Sequence, residues 1–229
     1  MEVFEVDVGP PDRGWHPVLM RTDRGDLELR HHPASEARAA VIMVGGVGGG
    51  WDSPARGLYE RLGADLSADG LCALRVRYRT PASFDECVLD LRAGLEYLLE
   101  LGHEAIGLVG HSFGGAVVIR VAEAVPDHAR TVVTLATQSW GTEPVAHLPA
   151  DCSLLCVHGV ADDVLPPACS EQVYERAHEP KRLVLLSRAG HVLDESAGEV
   201  GRLVHDWLVK ELAPARASRA ARSARSRQR

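Results

Sequence analysis

Residues 104–120 read EAIGLVGHSFGGAVVIR, and this stretch decides the interpretation of the whole chain. Its apolar first half predicts a buried strand, and the Ala- and Val-rich second half predicts a helix packed on that strand. The chain must reverse between them within about four residues, which leaves almost no room for side chains two positions before and after the apex. Gly110 and Gly114 occupy those positions, and glycine avoids the steric cost. The pattern is typical of a nucleophile elbow with Ser112 at its apex.

Gly-x-Ser-x-Gly also occurs by chance in ordinary flexible turns, so the rest of the chain has to support this interpretation. Apolar runs and helical patterns alternate along it. Outside the elbow, we predict strands at residues 2–8, 17–22, 26–30, 39–44, 71–78, 131–136, 153–159 and 181–186. We predict helices at residues 54–68, 83–101, 168–178 and 196–212. This alternation predicts an α/β fold with a mostly parallel sheet and helices on both faces.

One local signal concerns the start of the second of these helices. Ser83 precedes it and Glu86 follows three residues later, which predicts a capping box.

The length of 229 residues suits one domain, and a hydrophobic content of 45% is ample for its core. We place that domain at residues 1–212. Residues 213–229 are rich in Ala, Arg and Ser, with six arginines and no acid. Such a segment cannot bury enough apolar surface to order itself, so we expect a disordered tail.

The net charge of the chain argues against nucleic acid and anionic membranes as partners. The chain carries −7, and removing the six arginines of the tail leaves −13 on the domain. An acidic body repels phosphates.

No segment approaches the roughly 20 apolar residues of a membrane span. The five cysteines are odd in number and include no Cys-x-x-Cys pair, which together with the acidic start predicts reduced thiols in a soluble cytoplasmic protein.

A glycine-rich loop, residues 45–50, follows the predicted buried strand at 39–44. A phosphate loop would need Gly-Lys-Ser/Thr at its end, but Gly50 is followed by Trp51. The dinucleotide pattern G-x-G-x-x-G fails at the same residue. What remains is a loop whose backbone N–H groups can approach a ligand closely, as an oxyanion hole requires.

A serine nucleophile needs a base and an acid that orients the base. Loops at the carboxyl ends of parallel strands form the ligand crevice of such sheets. Asp162 and Asp163 lie in the loop after the next-to-last predicted strand, and His191 lies in the loop after the last one. The order Ser, Asp, His fits one strand-loop unit between each pair.

Three motifs in this order carry a resemblance: Gly-His-Ser-Phe-Gly-Gly at 110–115, His-Gly-x-x-Asp-x-x-x-Pro at 158–166 and Ala-Gly-His at 189–191. The chain resembles an α/β-hydrolase over nearly its whole length, except the arginine-rich tail. Within that family it is most similar to small esterases of the dienelactone-hydrolase-like type that lack a cap domain. Residues 141–152, where a cap is often inserted, have room for a short helix at most.

The resemblance implies that Ser112 is the nucleophile, His191 the base and Asp162 the orienting acid. Asp163 is the rival acid, but Asp162 has the family's spacing from the neighbouring glycine and proline. Dienelactone hydrolases themselves use a cysteine nucleophile, so the serine leaves their particular substrate open.

The resemblance also implies an oxyanion hole formed by the backbone N–H groups of Phe113 and Val47, with Gly48 as the alternative second donor. Gly45 replaces the histidine that is usual in the family. The predicted pocket residues are Trp51, Arg79, Gln138 and Trp140. Three further histidines are expected to have structural or no special roles: His111, His158 and His205.

These features predict a serine hydrolase that cleaves a carboxylic ester, thioester or lactone of a small acyl substrate. Acyl transfer on the same triad and a non-enzymatic ligand-binding protein of the same fold remain alternatives. No cofactor is implied. No metal is expected at these loops either, because their histidines and aspartates lack a metal-ligand spacing such as H-E-x-x-H. The oligomeric state is left open.

Overall fold

Nine β-strands form one sheet in the computed structural model of this chain, which describes residues 1–226 and their side chains up to residue 213. The strands are β1 (Val3–Val8), β2 (His16–Thr22), β3 (Gly25–His32), β4 (Ala39–Val44), β5 (Cys72–Arg77), β6 (Ala105–His111), β7 (Ala129–Leu135), β8 (Ser153–Gly159) and β9 (Lys181–Leu186). Their order across the sheet is β1-β2-β3-β5-β4-β6-β7-β8-β9.

The sheet has an antiparallel part and a parallel part. Strands β1, β2 and β3 pair antiparallel, and β3 pairs antiparallel with β5. From β5 to β9 all neighbouring strands are parallel. The parallel strands therefore end together at one edge of the sheet, called here the carboxyl edge, and begin together at the opposite amino edge.

Helices cover both faces of the parallel part. They are α1 (Pro54–Ala68), α2 (Phe84–Glu100), α3 (Phe113–Ala124), α4 (Ala168–Arg176) and α5 (Ala197–Ser226). All six residues of β4 are buried. Ile42 and Val44 belong to the core shared with α2 and α3, whereas Val41 and Met43 belong to the core shared with α1 and α5. Because successive strand residues point to opposite faces, a strand covered on both sides is a continuous apolar run.

The predicted α/β fold and its parallel sheet are confirmed, and two local features need comment. The prediction of a capping box is wrong, because the side chain of Ser83 makes no capping hydrogen bond at the start of α2. Glu86 instead pairs with Arg24 and Arg79. Two positively charged guanidinium groups attract this carboxylate more strongly than one neutral backbone N–H would. Helix α5 continues past residue 212 to Ser226, and the disorder of the arginine-rich tail stays a prediction.

The connection between β7 and β8 contains only one turn of 3₁₀ helix, Glu143–His147. The expectation that residues 141–152 hold no cap domain is thereby confirmed. Within the described residues, no helix combines the length and the apolar character that crossing a bilayer requires. The thiols of all five cysteines are free and buried.

Candidate active site

Ser112 lies at the sharp turn between β6 and α3, at the carboxyl edge of the sheet. Its backbone has φ 54° and ψ −119°, a region that side-chain-bearing residues rarely adopt. Such strain persists only where the surroundings enforce it and is concentrated at functional sites. A Cβ atom at Gly110 would overlap the backbone of Gly114, and one at Gly114 would overlap the carbonyl oxygen of Gly45. Glycine is therefore required at both positions, as predicted for an elbow.

The glycine-rich loop packs directly against this turn. A Cβ atom at Gly46 would lie 3.6 Å from Cβ of Ser112 and 3.5 Å from Nδ1 of His111. At Gly45 a Cβ would lie only 2.9 Å from the carbonyl oxygen of Asp52. The backbone of residue 52 thus occupies the space of a side chain at 45, which explains why this chain has glycine there. Val47, the next residue of the loop, is half exposed.

Ser112, His191 and Asp162 form a continuous hydrogen-bonded chain. Nε2 of His191 lies 3.0 Å from Oγ of Ser112, and Nδ1 lies 2.8 Å from Oδ2 of Asp162. Ser112 lies 79 positions and Asp162 lies 29 positions before His191 in the sequence. The three side chains meet because β6, β8 and β9 all end at the carboxyl edge. Ser112 is 9% exposed, so the residue is nearly buried but still reachable from solvent.

Asp162 is the aspartate that faces His191, and its carboxylate has a partner on every side. Oδ1 accepts the backbone N–H groups of Val164 and Leu165, each at 2.8 Å. Burial alone would raise the pKa of Asp162, but the hydrogen bonds from Leu165, His191 and Val164 outweigh burial and lower it. The carboxylate is therefore ionised at neutral pH. Asp163 is exposed, and no hydrogen bond joins it to this chain of side chains.

His158, expected to be structural, contacts the same carboxylate. Its side chain is fully buried at the end of β8, and Nε2 lies 3.1 Å from Oδ2 of Asp162 and 3.0 Å from the carbonyl oxygen of Leu165. Nδ1 lies 2.7 Å from Oγ of Ser170 in α4. An N–H at Nε2 donating to the oxygen of Leu165, with a lone pair at Nδ1 accepting from the hydroxyl of Ser170, satisfies both hydrogen bonds. The sequence signal for this contact is the position of His158 four residues before Asp162 in the His-Gly-x-x-Asp motif.

His111, the residue before Ser112, supports the loop that carries His191. Its Nε2 lies 3.1 Å from the backbone oxygen of His191, and the two rings are 5.0 Å apart. Burial lowers the pKa of His111, more than its bond to that oxygen raises it, so the ring is neutral at neutral pH. His111 therefore anchors the backbone of His191 without placing a second positive charge beside it.

The four predicted pocket residues lie in different surroundings. Trp140 is 64% exposed, and its ring contacts Phe84, which in turn contacts Phe113 next to the serine. Gln138 donates a hydrogen bond to the backbone oxygen of Trp140. These two residues are thus connected to the elbow through aromatic contacts.

Arg79 and Trp51 have other partners. The side chain of Arg79 is 5% exposed, and its guanidinium binds Asp90 and Glu86, so little of it remains for a substrate. The ring of Trp51 stacks under the guanidinium of Arg30, on the antiparallel side of the sheet. Neither residue contacts Ser112 within the part of the chain that the structure describes.

The arrangement can perform nucleophilic chemistry. An imidazole within hydrogen-bond reach of a hydroxyl can accept its proton, and a buried carboxylate on the far nitrogen fixes the ring and stabilises its charged form. His205, which bonds Asp69 directly after α1, lies outside this arrangement.

This chain belongs to the α/β hydrolase family, since the model of the alpha/beta hydrolase fold matches residues 35–151. The matched range includes the glycine-rich loop and the elbow, and it ends before Asp162 and His191. Among curated protein sequences, a search finds no match.

Solved structures with the same fold include several hydrolases. Est1E from Butyrivibrio proteoclasticus is 16% identical with a TM-score of 0.75, covering 86% of this chain and 99% of its own. The dienelactone hydrolase from Anabaena variabilis is 20% identical with a TM-score of 0.74, covering 86% and 97%. XC6422 from Xanthomonas campestris, described as a serine hydrolase without a lid, is 17% identical with a TM-score of 0.67, covering 89% and 96%. At these identities the likeness concerns the fold.

Proposed function

We propose that this protein is a serine hydrolase that cleaves a carboxylic ester of a small substrate through an acyl-enzyme intermediate. The observation that carries the proposal is the hydrogen-bonded chain from Ser112 through His191 to Asp162. An esterase domain and a dienelactone hydrolase among the solved structures of similar fold support a hydrolytic reaction.

In the first half-reaction, Oγ of Ser112 attacks the ester carbonyl while Nε2 of His191 accepts the hydroxyl proton. The tetrahedral intermediate collapses, the bond to the alcohol oxygen breaks, and His191 gives its proton to the leaving alcohol. In the second half-reaction, water attacks the acyl-enzyme and gives a proton to His191. The bond to Oγ then breaks, His191 returns the proton to Ser112, and the carboxylic acid leaves.

Asp162 keeps the proton of neutral His191 on Nδ1, so that Nε2 presents its lone pair to Ser112. Its negative charge also stabilises the imidazolium that forms during each half-reaction. The lowered pKa of Asp162 supports this role, because a protonated carboxyl could not do either.

The backbone N–H groups of Phe113 and Val47 are proposed to bind the oxyanion. Phe113 is the first residue of α3, so its N–H lies at the positive end of a helix. Val47 follows Gly46, the loop residue that lies against Ser112. Preorganised donors of this kind contribute about 3–4 kcal/mol each to transition-state stabilisation.

Labelling with a fluorophosphonate probe tests the nucleophile directly, because only an activated serine reacts with it. We expect stoichiometric labelling of the wild-type chain at Ser112 and none in Ser112→Ala. Ser139→Ala, which changes another serine at the carboxyl edge, should label like the wild type. A wild-type protein that stays unlabelled would favour the alternative of a non-enzymatic ligand-binding protein.

The short connection between β7 and β8 supports a preference for small, water-soluble acyl groups. A single 3₁₀ turn, Glu143–His147, cannot cover a long acyl chain. Rates on p-nitrophenyl esters of increasing chain length should fall from short to long acyl groups, with no jump at the solubility limit of the substrate. A maximum at long chains would contradict this preference while leaving the nucleophile assignment intact.

Thioester hydrolysis and acyl transfer would use the same acyl-enzyme. Adding a second alcohol to the assay distinguishes transfer, because a new ester forms in place of the free acid. Cytoplasmic localisation and the absence of nucleic-acid and membrane partners remain predictions.

A further inference from the structure

A second group of chemically active side chains lies at the amino edge of the sheet, at the opposite end of the strands from Ser112. His31 is near the end of β3, Cys72 is the first residue of β5, and His103 lies in the connection between α2 and β6. One potential ligand atom from each residue lies within 4.8 Å of the other two. We call these three residues the His-Cys-His cluster.

His31 is oriented by a hydrogen bond on its outer nitrogen. Nδ1 lies 3.2 Å from the hydroxyl of Tyr97, while Nε2 lies 3.0 Å from Sγ of Cys72. An N–H at Nδ1 donating to Tyr97 leaves the lone pair of Nε2 directed at the sulfur. Histidine ligands of metals usually bond a second group in this way, which fixes the tautomer.

His103 is the third member of the cluster, and its buried ring lies beside the backbone of Ala37. The residue is 7% exposed, and Nδ1 has no hydrogen-bond partner among the residues that the structure describes. An orphaned buried nitrogen is costly unless something binds it. A cation held between Nδ1 and the neighbouring thiol and imidazole would do so.

We propose that the His-Cys-His cluster is a binding site for one Zn²⁺ ion. Imidazole nitrogen and thiolate sulfur are the ligands that zinc prefers, and three protein ligands leave a fourth position for water. Zn–N bonds of about 2.0 Å and a Zn–S bond of about 2.3 Å put the ligand atoms of a tetrahedral site roughly 3.5 Å apart. The ligand atoms of the cluster are between 3.0 Å (Nε2 of His31 to Sγ of Cys72) and 4.8 Å apart, a range that includes this value. Ligation therefore needs only small side-chain movements.

The site would connect three segments that are far apart in the sequence. β3 belongs to the antiparallel part of the sheet and β5 to the parallel part, and His103 precedes the strand that leads to Ser112. An ion that binds the folded chain and not the separated segments stabilises the fold. Its position at the amino edge indicates a structural role, distinct from the proposed ester hydrolysis.

Metal binding to untagged full-length protein tests the site. The protein is dialysed against EDTA, titrated with zinc sulfate, freed of loose metal by gel filtration and analysed for zinc. We expect one Zn²⁺ per chain and a higher Tm with zinc than without it. Co²⁺ in place of Zn²⁺ should give a thiolate-to-cobalt charge-transfer band, which reports the sulfur ligand in the wild-type chain without any variant.

Variants then assign the ligands. Cys72→Ser should weaken zinc binding at least 10-fold and remove the cobalt band, and Tyr97→Phe should weaken binding about 10- to 100-fold with the band retained. Cys87→Ser is the matched control, since burial raises the pKa of the Cys72 and Cys87 thiols alike to about 12. Absence of the cobalt band in the wild type, or equal zinc affinity in Cys72→Ser, would overturn the proposal. Retention of Cu⁺ but not Zn²⁺ at these residues would overturn the assignment to zinc.

Discussion

Histidines are buried at both edges of the sheet, but their hydrogen bonding differs. At the carboxyl edge, both ring nitrogens of His191 and of His158 have partners within the protein. At the amino edge, His32 has no partner on either nitrogen and His103 has none on Nδ1, counting the described residues. His111 at the carboxyl edge also lacks a partner on Nδ1 among them, and His31 at the amino edge has partners on both nitrogens, so the contrast is between His191 and His158 on one side and His32 and His103 on the other.

This difference separates two uses of a buried imidazole. A ring with both nitrogens bonded is held in one orientation and one tautomer, as proton transfer to and from a neighbouring hydroxyl requires. A ring with an orphaned nitrogen destabilises the fold unless a ligand or a proton reaches it. The rings of His191 and His158 therefore suit chemistry among neighbouring side chains, whereas the open nitrogens of His32 and His103 would be satisfied by a ligand or a proton from outside.

The largest expected effect is at the carboxyl edge. Ser112→Ala should abolish ester hydrolysis, with kcat reduced by about 10⁶, because nothing else at the elbow can form the acyl-enzyme. The melting temperature should change little, since only a hydroxyl is removed. Steady-state kinetics with a p-nitrophenyl ester and thermal unfolding measure the two quantities. Retention of a tenth of the wild-type rate would show that the serine is not the nucleophile.

The adjacent aspartates provide a matched pair for the next test. Asp162→Asn should lower kcat by about 10⁴, because the amide cannot enforce the tautomer of His191 that serves as base. Asp163→Asn should leave kcat nearly unchanged, as its side chain is exposed. Measuring kcat for both variants decides between them, and the reverse ranking would assign the orienting role to Asp163.

His158 tests whether the bonding of the carboxyl edge extends beyond the three side chains. His158→Leu removes the 3.1 Å contact of Nε2 with a buried carboxylate, so kcat should fall roughly 10-fold with KM unchanged. His158→Gln, whose amide can donate again, should recover part of this loss. Ser170→Ala breaks the contact with Nδ1 alone and serves as the control. A parallel loss of kcat in the Ser170 variant would indicate a purely structural role.

The smallest expected effect concerns His32 at the amino edge. Burial, followed by the charge of Arg75, lowers the pKa of His32 from about 6.5 to about 4. Between pH 4 and pH 6.5 the unfolded chain therefore binds more protons at His32 than the folded chain does. The contribution of His32 to the free energy of unfolding is fully present above pH 6.5 and is lost as the pH falls toward 4. His32→Leu should raise the free energy of unfolding at pH 7 by on the order of 1 kcal/mol, because two orphaned nitrogens are removed.

Urea unfolding of wild-type and His32→Leu proteins between pH 7 and 4 measures both effects. The decline of stability toward low pH should be shallower in the variant. His178→Leu, which replaces an exposed histidine, is the control. An equal decline in wild type and variant would show that another group dominates the acid sensitivity.

The carboxyl edge was largely predictable from sequence, and the amino edge was not. Gly110, Ser112 and Gly114 lie within five residues, so the local pattern already specifies the turn. The positions of Asp162 and His191 follow from the rule that parallel strands end at one edge. His31 and Cys72 meet because β3 pairs antiparallel with β5, and neither the pairing nor its register has a local signal.

The capping box failed for a related reason. Ser83 and Glu86 match the pattern locally, but the distant Arg24 supplies a stronger partner for the carboxylate. A pattern within one segment predicts structure reliably only where no distant charge competes for its residues. The second oxyanion donor, Val47 or Gly48, depends on how the glycine-rich loop packs against the elbow, so a pattern within one segment does not decide it.

The single 3₁₀ turn between β7 and β8 has a consequence for the timing of catalysis. Enzymes with lids commonly spend much of each turnover waiting for a segment to open, on the microsecond-to-millisecond timescale. Among its described residues this chain has no such segment above Ser112, so substrate and product would exchange with solvent by diffusion alone. For the proposed hydrolysis we therefore expect bond making and breaking to set the turnover rate. That rate should be insensitive to solvent viscosity and should fall in deuterated solvent, because the proposed steps move protons to and from His191.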